Sequence, residues 1–452
     1  MYLLRNKLTQ NVVLPLSDLF TGQSINSSLR FLLESHSWSR DRLIEHQLLR
    51  LKYLVAYCYA NVPFYAKKMR EIGIIPSDIR SIEDLAAFPI VTKEELRLYK
   101  QDHKALNVSP KSYIVHSSSG STGEPFQYRI SKAASSFTKA AAIRGWIWNG
   151  YSLGDKYVKI SMNPRKSTIK QIQDILNRCM YLSATELTQD SFSRILEAIV
   201  GYDPKFIRGY PVPMFFLANL VNDKLRSYMG KSLIGINTTG STLSDDKRAI
   251  IESAFRVNIF DTYSCEAGAN FTQCPLCGKY HPGEEYAISE FIADEYTKND
   301  PDRPLRHITT DLYNLASPFI RYDTQDYVVL DNTGDIQCSR PYKSVTKIKG
   351  RDGDIIVTPS RKFFIVENFV AYFEYIKEVE MIQVVQTRVD HIEINLKVFD
   401  TFSKNIEQEI KTYWEKQFGP DTSVSINVVD QIKLTSTGKR RTVIRDKSID
   451  LL

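Results

Sequence analysis

The chain has 452 residues, of which 43% are hydrophobic and 25% are charged, a composition ordinary for a globular protein of two or three domains. The formal net charge of +7 is small for this length, and no dense Lys/Arg run is interleaved with aromatic residues, which disfavours nucleic-acid binding. A slightly basic enzyme that acts on anionic substrates agrees with the same charge.

The hydropathy pattern and the N-terminal residues bear on localisation. No run of about 18 apolar residues occurs, so we expect no membrane span. Arg5 interrupts the N-terminus too early for a signal peptide, so we expect a cytoplasmic protein. Six cysteines in a chain of this length do not predict a disulfide framework.

Residues 1–110 are predicted to form a mainly helical region. Apolar residues recur there on one helical face, and Asn61-Val62-Pro63 is expected to end this helix. We expect the helix to pack on a larger domain. The residues of the predicted face are Ile44, Leu48, Leu51, Val55 and Tyr59.

The segment 116–125, His-Ser-Ser-Ser-Gly-Ser-Thr-Gly-Glu-Pro, combines five hydroxyl side chains with two glycines. Glycine lets backbone N–H groups approach a ligand closely, consecutive N–H groups form an anion nest, and the hydroxyls add donors. These properties are typical of a loop that binds a polyphosphate, although a Ser/Gly surface linker is the alternative. The loop is not a Walker A loop, because no Gly-Lys-Ser/Thr follows.

From residue 111 to residue 350, short apolar runs alternate with amphipathic helical stretches, which predicts an α/β domain with a largely parallel sheet. Ligands of such sheets bind beyond the carboxyl ends of the strands. Two predicted strands lead into the polar loops 238–241 and 261–266, where we expect a site. The predicted strands are 157–160, 206–209, 234–237 and 257–260.

A possible metal site lies within this domain. Cys274, Cys277 and His281 have the Cys-x2-Cys spacing of metal ligands, with a glycine in the turn. Cys338 lies in a later polar turn and is the candidate for the fourth ligand. Four such ligands predict a closed, structural zinc site, and free thiols are the alternative.

The last hundred residues predict a small α+β domain. A strand at 381–385 is followed by a strictly alternating strand at 392–398, a helix closed by Gly419-Pro420, and a further strand at 424–428. The polar loop 435–441 follows these elements. The apolar face of the predicted helix consists of Ile406, Ile410, Tyr413 and Trp414.

The order of these segments resembles that of the adenylate-forming ligases over nearly the whole chain, with the phenylacetate–CoA ligase-like and capsule-biosynthesis-type branch as the nearest. Residues 118–125 resemble the ATP phosphate loop of that superfamily, with Phe126 where a lysine is usual. Residues 261–266 resemble the adenine-and-magnesium motif. Residues 318–326 resemble the ribose-binding motif, with Gln325 where a glycine is usual.

Two further motifs resemble the C-terminal part of these ligases. Residues 349–354 resemble the hinge motif, with Gly353 where an acid or a lysine is usual, and residues 436–439 resemble the C-terminal lysine motif. The resemblance implies a large adenylation domain over 1–350, with an α/β nucleotide-binding core at 111–350, and a mobile α+β domain over 351–452.

The resemblance also implies roles for single residues. Lys439 and Glu266 would be catalytic, Glu266 as a ligand of Mg2+, and Lys439 near the α-phosphate and the attacking carboxylate. A core tyrosine at 263, a structural histidine at 116 and a solvated basic tail around 439 are the alternatives. The implied ATP-binding residues are Ser118, Ser119, Gly120, Ser121, Thr122, Gly123, Gly240, Ser241, Asp261, Tyr263, Asp326 and Arg351, and the implied substrate-pocket residues are His116 and Tyr210.

The implied activity is ATP-dependent activation of a small carboxylic acid through an acyl-adenylate, with ATP, Mg2+ and a structural Zn2+ in the protein. The acyl group would pass to CoA or to an amine, and a sugar or amino-acid carboxylate joined to an amine in surface-polysaccharide assembly is an alternative. A non-catalytic nucleotide-binding module is the alternative from another class, supported by Gln325 and Gly353. We expect a monomer or a homodimer.

Overall fold

The structure is a computed structural model. Several residues with predicted roles lie outside the described ranges, namely Ser119, Gly120, Ser121, Thr122, Gly123, Arg351, Gly353 and Lys439. Within the described ranges, no helix is both long and apolar enough to traverse a lipid bilayer. The model describes residues 8–118, 126–161, 167–184, 188–222, 232–293, 302–331, 338–349, 355–364, 366–373, 376, 378–432, 441–446 and 448–449.

The N-terminal region is helical, as predicted. The predicted helix is present and ends at Asn61, and Pro63 begins the next one. Its predicted face is partly wrong, because Ile44 is 38% exposed and the neighbouring Leu43 is buried instead. The helices are α1 Leu14–Thr21, α2 Ile25–Ser35, α3 Arg40–Asn61, α4 Pro63–Ile72 and α5 Lys93–Leu98, with shorter turns at Thr9–Val13, Pro76–Asp78, Glu83–Ala87 and Pro110–Ser112.

An antiparallel hairpin of strands β1 Tyr113–Ser118 and β2 Phe126–Ser131 flanks the predicted phosphate loop, with Ser118 opposite Phe126 at its open end. The hairpin is anchored on a later part of the chain. The backbone N–H of Arg129 donates to Ser317 Oγ at 3.2 Å, and that of Ser131 donates to Asn314 Oδ1 at 3.0 Å. The ends of the predicted loop are therefore fixed against residues 314–317.

The predicted parallel strands are confirmed. They pair side by side in one half of a large sheet, and helices pack on them. The strands are β3 Tyr157–Ser161, β4 Cys179–Ser183, β5 Phe206–Gly209, β6 Gly235–Thr239 and β7 Ile259–Ser264. The helices are α6 Lys132–Trp148, α7 Thr168–Leu176, α8 Gln189–Tyr202, α9 Pro211–Leu220 and α10 Asp245–Phe255.

The other half of the sheet is antiparallel. Its strands are β8 Asn270–Gln273, β9 Tyr280–Pro282, β10 Ala287–Ile292, β11 Leu305–Asp311, β12 Tyr322–Leu330 and β13 Val345–Lys349. The full order is β10-β11-β12-β13-β9-β8-β7-β6-β5-β3-β4. Phe271, Tyr280, Val328 and Val345 come from four of these strands and form one buried cluster. The antiparallel half therefore curls around a core of its own.

The C-terminal part is a four-stranded mixed sheet with helices, which confirms the predicted α+β class. The sheet order is β18-β17-β16-β19, and Trp414 stacks on Phe369 at a ring-centroid distance of 4.5 Å in its core. The elements are β14 Ile356–Val357, β15 Phe363–Phe364, α11 Val366–Phe373, β16 Val379–Arg388, β17 His391–Val398, α12 Lys404–Phe418, β18 Ser423–Val428 and β19 Val443–Arg445.

Candidate functional site

The carboxyl ends of three neighbouring parallel strands carry several predicted site residues. Tyr210 follows β5, Gly240 and Ser241 follow β6, and Glu266 follows β7. The strands pair in parallel, so their carboxyl ends lie along one edge of the sheet. The structure thus brings these four predicted residues to a common edge.

Tyr210 lies directly against the backbone of Gly240. A Cβ added at Gly240 would lie 2.4 Å from Tyr210 Cε1, and Gly240 has a φ of +90°, which side chains rarely adopt. Only glycine meets both conditions without displacing the ring. The next residue, Ser241, has a buried Oγ with no hydrogen-bond partner among the described residues. A buried, unmatched hydroxyl at this edge favours a ligand-binding role.

Tyr263 and Asp326 were predicted to bind adenine and ribose, and the structure joins them. The Tyr263 hydroxyl donates to Asp326 Oδ2 at 2.8 Å, although their strands, β7 and β12, are not neighbours in the sheet. Burial, and then the Asp326 carboxylate, raise the pKa of Tyr263 well above its usual value, so the phenol stays protonated and fixes the carboxylate. The hydrogen bond therefore joins two strands that are separated in the sheet by β13, β9 and β8.

The buried His307 lies next to the Tyr263 hydroxyl of this pair. His307 Nδ1 lies 3.5 Å from the Tyr263 hydroxyl, and His307 Nε2 lies 3.1 Å from Ser289 Oγ. Burial, reinforced by Lys343, lowers the pKa of His307 to about 3, so the imidazole is neutral at physiological pH. No sequence pattern indicates a role for His307, because a single histidine in a strand has no characteristic spacing to other residues.

The residue before Asp326 departs from the family pattern, and the backbone explains why glycine is usual there. Gln325 has a φ of +61°, a left-handed conformation that glycine adopts without strain. Its backbone N–H donates to Asp323 Oδ1 at 2.9 Å, which helps to hold the turn. Gln325 therefore keeps the backbone conformation that a glycine would provide, at some conformational cost.

Glu266 is held by two residues that the sequence analysis missed. The Tyr322 hydroxyl donates to Glu266 Oε1 at 2.7 Å, and Lys93 Nζ lies 3.6 Å from the same oxygen. The Lys93 side chain is 7% exposed and that of Glu266 is 20% exposed. A buried lysine paired with a carboxylate at a strand edge is typical of a functional site. In the sequence, Lys93 has only the pattern of a helix start after Thr92.

Lys93 reaches Glu266 because the preceding segment is clamped onto β12. Val91 forms a bridge with Tyr322, and its N–H donates to the carbonyl of Arg321 at 2.9 Å. The Arg321 guanidinium donates to the carbonyl oxygens of Ala86 and Phe88 and pairs with Glu290. The helical region therefore contributes directly to the site.

The hairpin that flanks the predicted phosphate loop packs beside Glu266. The Tyr128 ring lies 5.4 Å from that of Phe319, which lies 5.1 Å from that of Tyr322. His116 of β1 is exposed, and its ring lies 6.2 Å from that of Tyr128. Burial, and then Lys139 and Lys170, lower the pKa of His116. The structure therefore places His116 next to Tyr128, and its role in a substrate pocket stays a prediction.

Asp261 differs from the expectation of a nucleotide contact. Its carboxylate is buried and accepts hydrogen bonds from Thr238 Oγ1 at 2.6 Å and from the Tyr280 hydroxyl at 2.8 Å. Burial raises its pKa. Both oxygens are therefore engaged within the sheet, and we correct the prediction: Asp261 links β6, β7 and β9.

The four predicted metal ligands meet in one cluster. The ligand atoms of Cys274, Cys277, His281 and Cys338 all lie within 4.8 Å of one another. Cys274 Sγ is 3.8 Å from Cys338 Sγ, and Cys277 Sγ is 3.4 Å from His281 Nε2. Tetrahedral zinc with bonds of about 2.3 Å to sulfur and about 2.0 Å to nitrogen requires spacings of about 3.8 and 3.5 Å. The donor set therefore fits zinc.

The surroundings of the cluster also suit a metal. His281 Nδ1 lies 2.9 Å from the carbonyl oxygen of Lys343, which fixes the tautomer that leaves Nε2 for coordination. Burial would raise the pKa of Cys274, but hydrogen bonds from His281 and Arg340 outweigh it and lower this pKa to about 5. Burial raises the pKa of Cys277, and the nearby sulfurs of Cys274 and Cys338 raise it further, so a thiolate at Cys277 conflicts with its surroundings. A divalent cation would remove that conflict.

Comparisons with known proteins agree with this architecture. Residues 356–446 match a family model described as the CapK C-terminal domain. The chain is 22% identical over 415 residues to protein CapK of Staphylococcus aureus, with 89% of each chain covered. It is 26% identical over 328 residues to the phenylacetate-coenzyme A ligase of Pseudomonas putida, with 71% of this chain and 73% of the relative covered.

Among solved structures, the chain resembles 2-hydroxyisobutyryl-CoA ligase in complex with 2-HIB-AMP and CoA, with a TM-score of 0.60 and 19% identity over 91% of both chains. A likeness at this identity shows the shared fold. Together, this likeness, the relatives in sequence and the family model at the C-terminal domain support assignment of the chain to the adenylate-forming ligase superfamily, and its sequence is similar to CapK and the phenylacetate-coenzyme A ligases.

Proposed function

We propose that the protein is an ATP-dependent ligase that activates a carboxylic acid as an acyl-adenylate, releases pyrophosphate, and transfers the acyl group to CoA or an amine. The observation that carries the proposal is the hydrogen bond between Tyr263 and Asp326 beside the Lys93–Glu266 pair. These groups lie near the carboxyl edge of the parallel strands. The relatives of the chain include phenylacetate-coenzyme A ligases.

In the proposed reaction, a carboxylate oxygen of the acid attacks the α-phosphorus of ATP, and the bond to pyrophosphate breaks. Such a reaction depends on positioning and on charge neutralisation more than on covalent help from the protein. Asp326, oriented by Tyr263, accepts hydrogen bonds from the ribose hydroxyls, and Tyr263 lies along the adenine. Bound Mg2+ supplies charge neutralisation, and Glu266 is the residue that holds it.

Apart from that of Ser118 at the end of β1, the remaining roles fall on residues outside the described ranges. Residues 118–123 bind the phosphates through backbone N–H groups and hydroxyls, Arg351 contacts the ribose or a phosphate, and Lys439 neutralises charge near the α-phosphate. We also propose that residues 351–452 form a mobile domain that turns at the 350–354 motif. Lys93 adds an ammonium beside Glu266, in a chain whose loop has Phe126 where a lysine is usual.

The acceptor can be CoA or an amine. The phenylacetate-coenzyme A ligases support CoA, because their names state that acceptor. The second candidate, formation of an amide on a sugar or amino-acid carboxylate, rests on the resemblance to capsule-biosynthesis-type ligases, and the similarity to CapK agrees with that resemblance. Incubation with ATP, the activated acid, and either CoA or a panel of amino sugars, followed by mass spectrometry, distinguishes a thioester from an amide.

The first step is tested by exchange of labelled pyrophosphate into ATP over a panel of carboxylic acids. We expect exchange with one class of acid, and loss of exchange with Glu266→Gln. Asp326→Asn keeps an acceptor for Tyr263 but loses the charge, so we expect the KM for ATP to rise about tenfold. Asp390→Asn is the matched control, because this carboxylate pairs with Arg388 on the surface. ATP binding without exchange for any acid would instead favour the non-catalytic module.

We further propose that Cys274, Cys277, His281 and Cys338 hold a structural zinc ion. The cluster follows β8 and precedes β13, so the ion would tie the loop at 274–281 to residues 338–343 beside the curled half of the sheet. All four positions of a tetrahedral ion would be filled by protein atoms, and such closed sites stabilise a fold rather than catalyse.

A further inference from the structure

A polar row crosses the parallel half of the sheet just before its carboxyl edge. Arg208 of β5 is paired laterally with Asn237 of β6 on one side and with Lys159 of β3 on the other. Laterally paired residues of parallel strands point to the same face of a sheet. These three polar side chains therefore share one face, next to the strand ends that carry Tyr210 and Gly240.

Arg208 is a partly buried cation. Its Cζ lies 5.4 Å from the centroid of the Trp146 ring. Burial lowers its pKa, and the groups that oppose this effect are Tyr157, Tyr210 and Cys179. No carboxylate among the described residues forms an ion pair with Arg208. A partly buried guanidinium with no carboxylate partner among the described residues is suited to an anionic ligand, because its fork of N–H donors matches a carboxylate.

Asn237 provides a second, independent observation. Its side chain is 3% exposed, and neither its Nδ2 nor its Oδ1 has a hydrogen-bond partner among the described residues. Ser241 Oγ, just beyond the end of the same strand, is in the same condition. Buried polar atoms are nearly always matched by protein, water or ligand, and Asn237 is the lateral neighbour of Arg208 in the sheet.

The same face is apolar one row further from the edge. Phe206 is 1% exposed, its ring lies 5.7 Å from that of Tyr151, and Trp146 lies 5.5 Å from Tyr151. This apolar surface favours the hydrocarbon part of a ligand, and the neighbouring row of polar side chains favours an anionic end group on the same ligand. An apolar wall with a few convergent polar groups is typical of a small-molecule pocket.

We propose that Arg208 and Asn237 bind a second carboxylate of the substrate, so that the acid activated by this protein is a dicarboxylic acid. This inference rests on the proposed ligase function, in which the other carboxylate reacts with ATP. The guanidinium offers two parallel N–H donors in a fork that matches a carboxylate, and Asn237 Nδ2 adds a third donor. Tyr210 follows Arg208 by two residues at the end of β5 and lies against Gly240.

The test compares acids that share a carbon skeleton, for example hexanoate with hexanedioate and benzoate with the benzenedicarboxylates. Pyrophosphate exchange with the wild-type chain is expected to favour the diacid of each pair. Arg208→Met removes the fork but keeps the length of the side chain, and the ratio of kcat/KM for diacid to monoacid should fall about 100-fold. Asn237→Ala should lower the same ratio less, and Arg208→Lys should restore part of it.

Arg178→Met is the matched control, because Arg178 donates to the carbonyl of Gly154 at the other end of the strands. Its diacid-to-monoacid ratio should equal that of the wild type. Equal exchange with monoacids and diacids, unchanged in Arg208→Met, would overturn the inference and leave the ligase function standing. If no acid supports exchange, diacids that raise the melting temperature of the wild type but not of Arg208→Met would support the pocket and reject the activity. No effect in either assay would reject both.

Discussion

Replacing Gly240 with alanine tests whether the strand edge holds Tyr210 in a defined position. The added Cβ would lie 2.4 Å from Tyr210 Cε1 and 2.8 Å from Cδ1, whereas ordinary contacts begin at 3.4 Å. The ring must therefore move by about 1 Å, or the loop must shift by the same amount. The matched control is Gly73→Ala, because Gly73 has a φ of +74° and an added Cβ there meets nothing within 4 Å.

The two substitutions share one energetic term and differ in the other. Alanine at a left-handed φ costs about 1–2 kcal/mol, and the reduced freedom of the unfolded chain offsets about 0.4–1 kcal/mol of this. Gly73→Ala should therefore lose about 1 kcal/mol of stability. Gly240→Ala adds the overpacking against Tyr210, typically about 1–3 kcal/mol, and should lose about 2–4 kcal/mol in total.

The activity should separate the two variants further. A displacement of about 1 Å at a substrate-positioning group can lower kcat/KM by about 100-fold. Urea unfolding of both variants and pyrophosphate exchange with the preferred acid measure the two effects. Combining Gly240→Ala with Tyr210→Ala removes the clash, so the extra loss of stability should disappear in this double mutant. The reasoning is wrong if Gly240→Ala behaves like Gly73→Ala in both stability and kcat/KM.

Four other predictions concern the metal cluster, the left-handed residue Gln325 in β12, the buried His307 and the Lys93–Glu266 pair. Purified protein should contain about one equivalent of zinc, and Cys338→Ser should lower this to under half an equivalent, because a closed site needs four ligands. Gln325→Gly removes about 1–2 kcal/mol of backbone strain from the folded state, but the added glycine stabilises the unfolded chain by about 0.4–1 kcal/mol through its conformational entropy. The free energy of unfolding in urea should therefore rise by up to about 1 kcal/mol. Burial lowers the pKa of His307 from 6.5 to about 3, so the unfolded chain binds a proton that the folded chain does not, and stability falls as pH drops below 6.5. Between pH 6.5 and pH 5 this loss is about 2 kcal/mol, and the urea-unfolding free energy of His307→Gln should lack it. Lys93→Met removes a cation 3.6 Å from Glu266, so the Mg2+ concentration for half-maximal exchange should fall about tenfold.

Each of these predictions has a control or an outcome that contradicts it. Cys179→Ser changes a cysteine outside the cluster and should keep its zinc. A loss of stability in Gln325→Gly would refute the strain at this turn, and an unchanged acid slope in His307→Gln would refute the neutral imidazole. Lys68→Met removes an ion pair with Glu95 near the same helix start, and a shift in Mg2+ dependence equal to that of Lys93→Met would show that the effect is not specific to Glu266.

Hydrophobic patterning was sufficient to predict most secondary-structure elements near the site. Strands β5 and β6 are short apolar runs followed by polar loops, and the physics of parallel sheets then places those loops along one edge. The metal cluster could be predicted because three of its ligands have a local spacing, and Cys338 was the remaining cysteine in a polar turn.

Residues whose role depends on packing between distant segments could not be predicted. Lys93 meets Glu266 only because Arg321 clamps the preceding segment, and nothing near Lys93 in the sequence encodes that contact. Arg208 belongs to a run that has the pattern of an ordinary strand, and its position between Lys159 and Asn237 follows from the register with β3 and β6. Asp261 was assigned to the nucleotide because it lies in the 261–266 motif. The alternation of side chains along β7 instead directs its carboxylate toward Thr238.

The clamp at Arg321 has a consequence for the newly made chain. Arg321 and its partner Ala86 are 235 residues apart, so the helical region leaves the ribosome long before β12 exists. Lys93 cannot be locked beside Glu266 until that strand has been synthesised. A polypeptide released before β12 would therefore lack the Lys93–Glu266 pair, so this edge of the sheet is completed only after the first 330 of the 452 residues have been made.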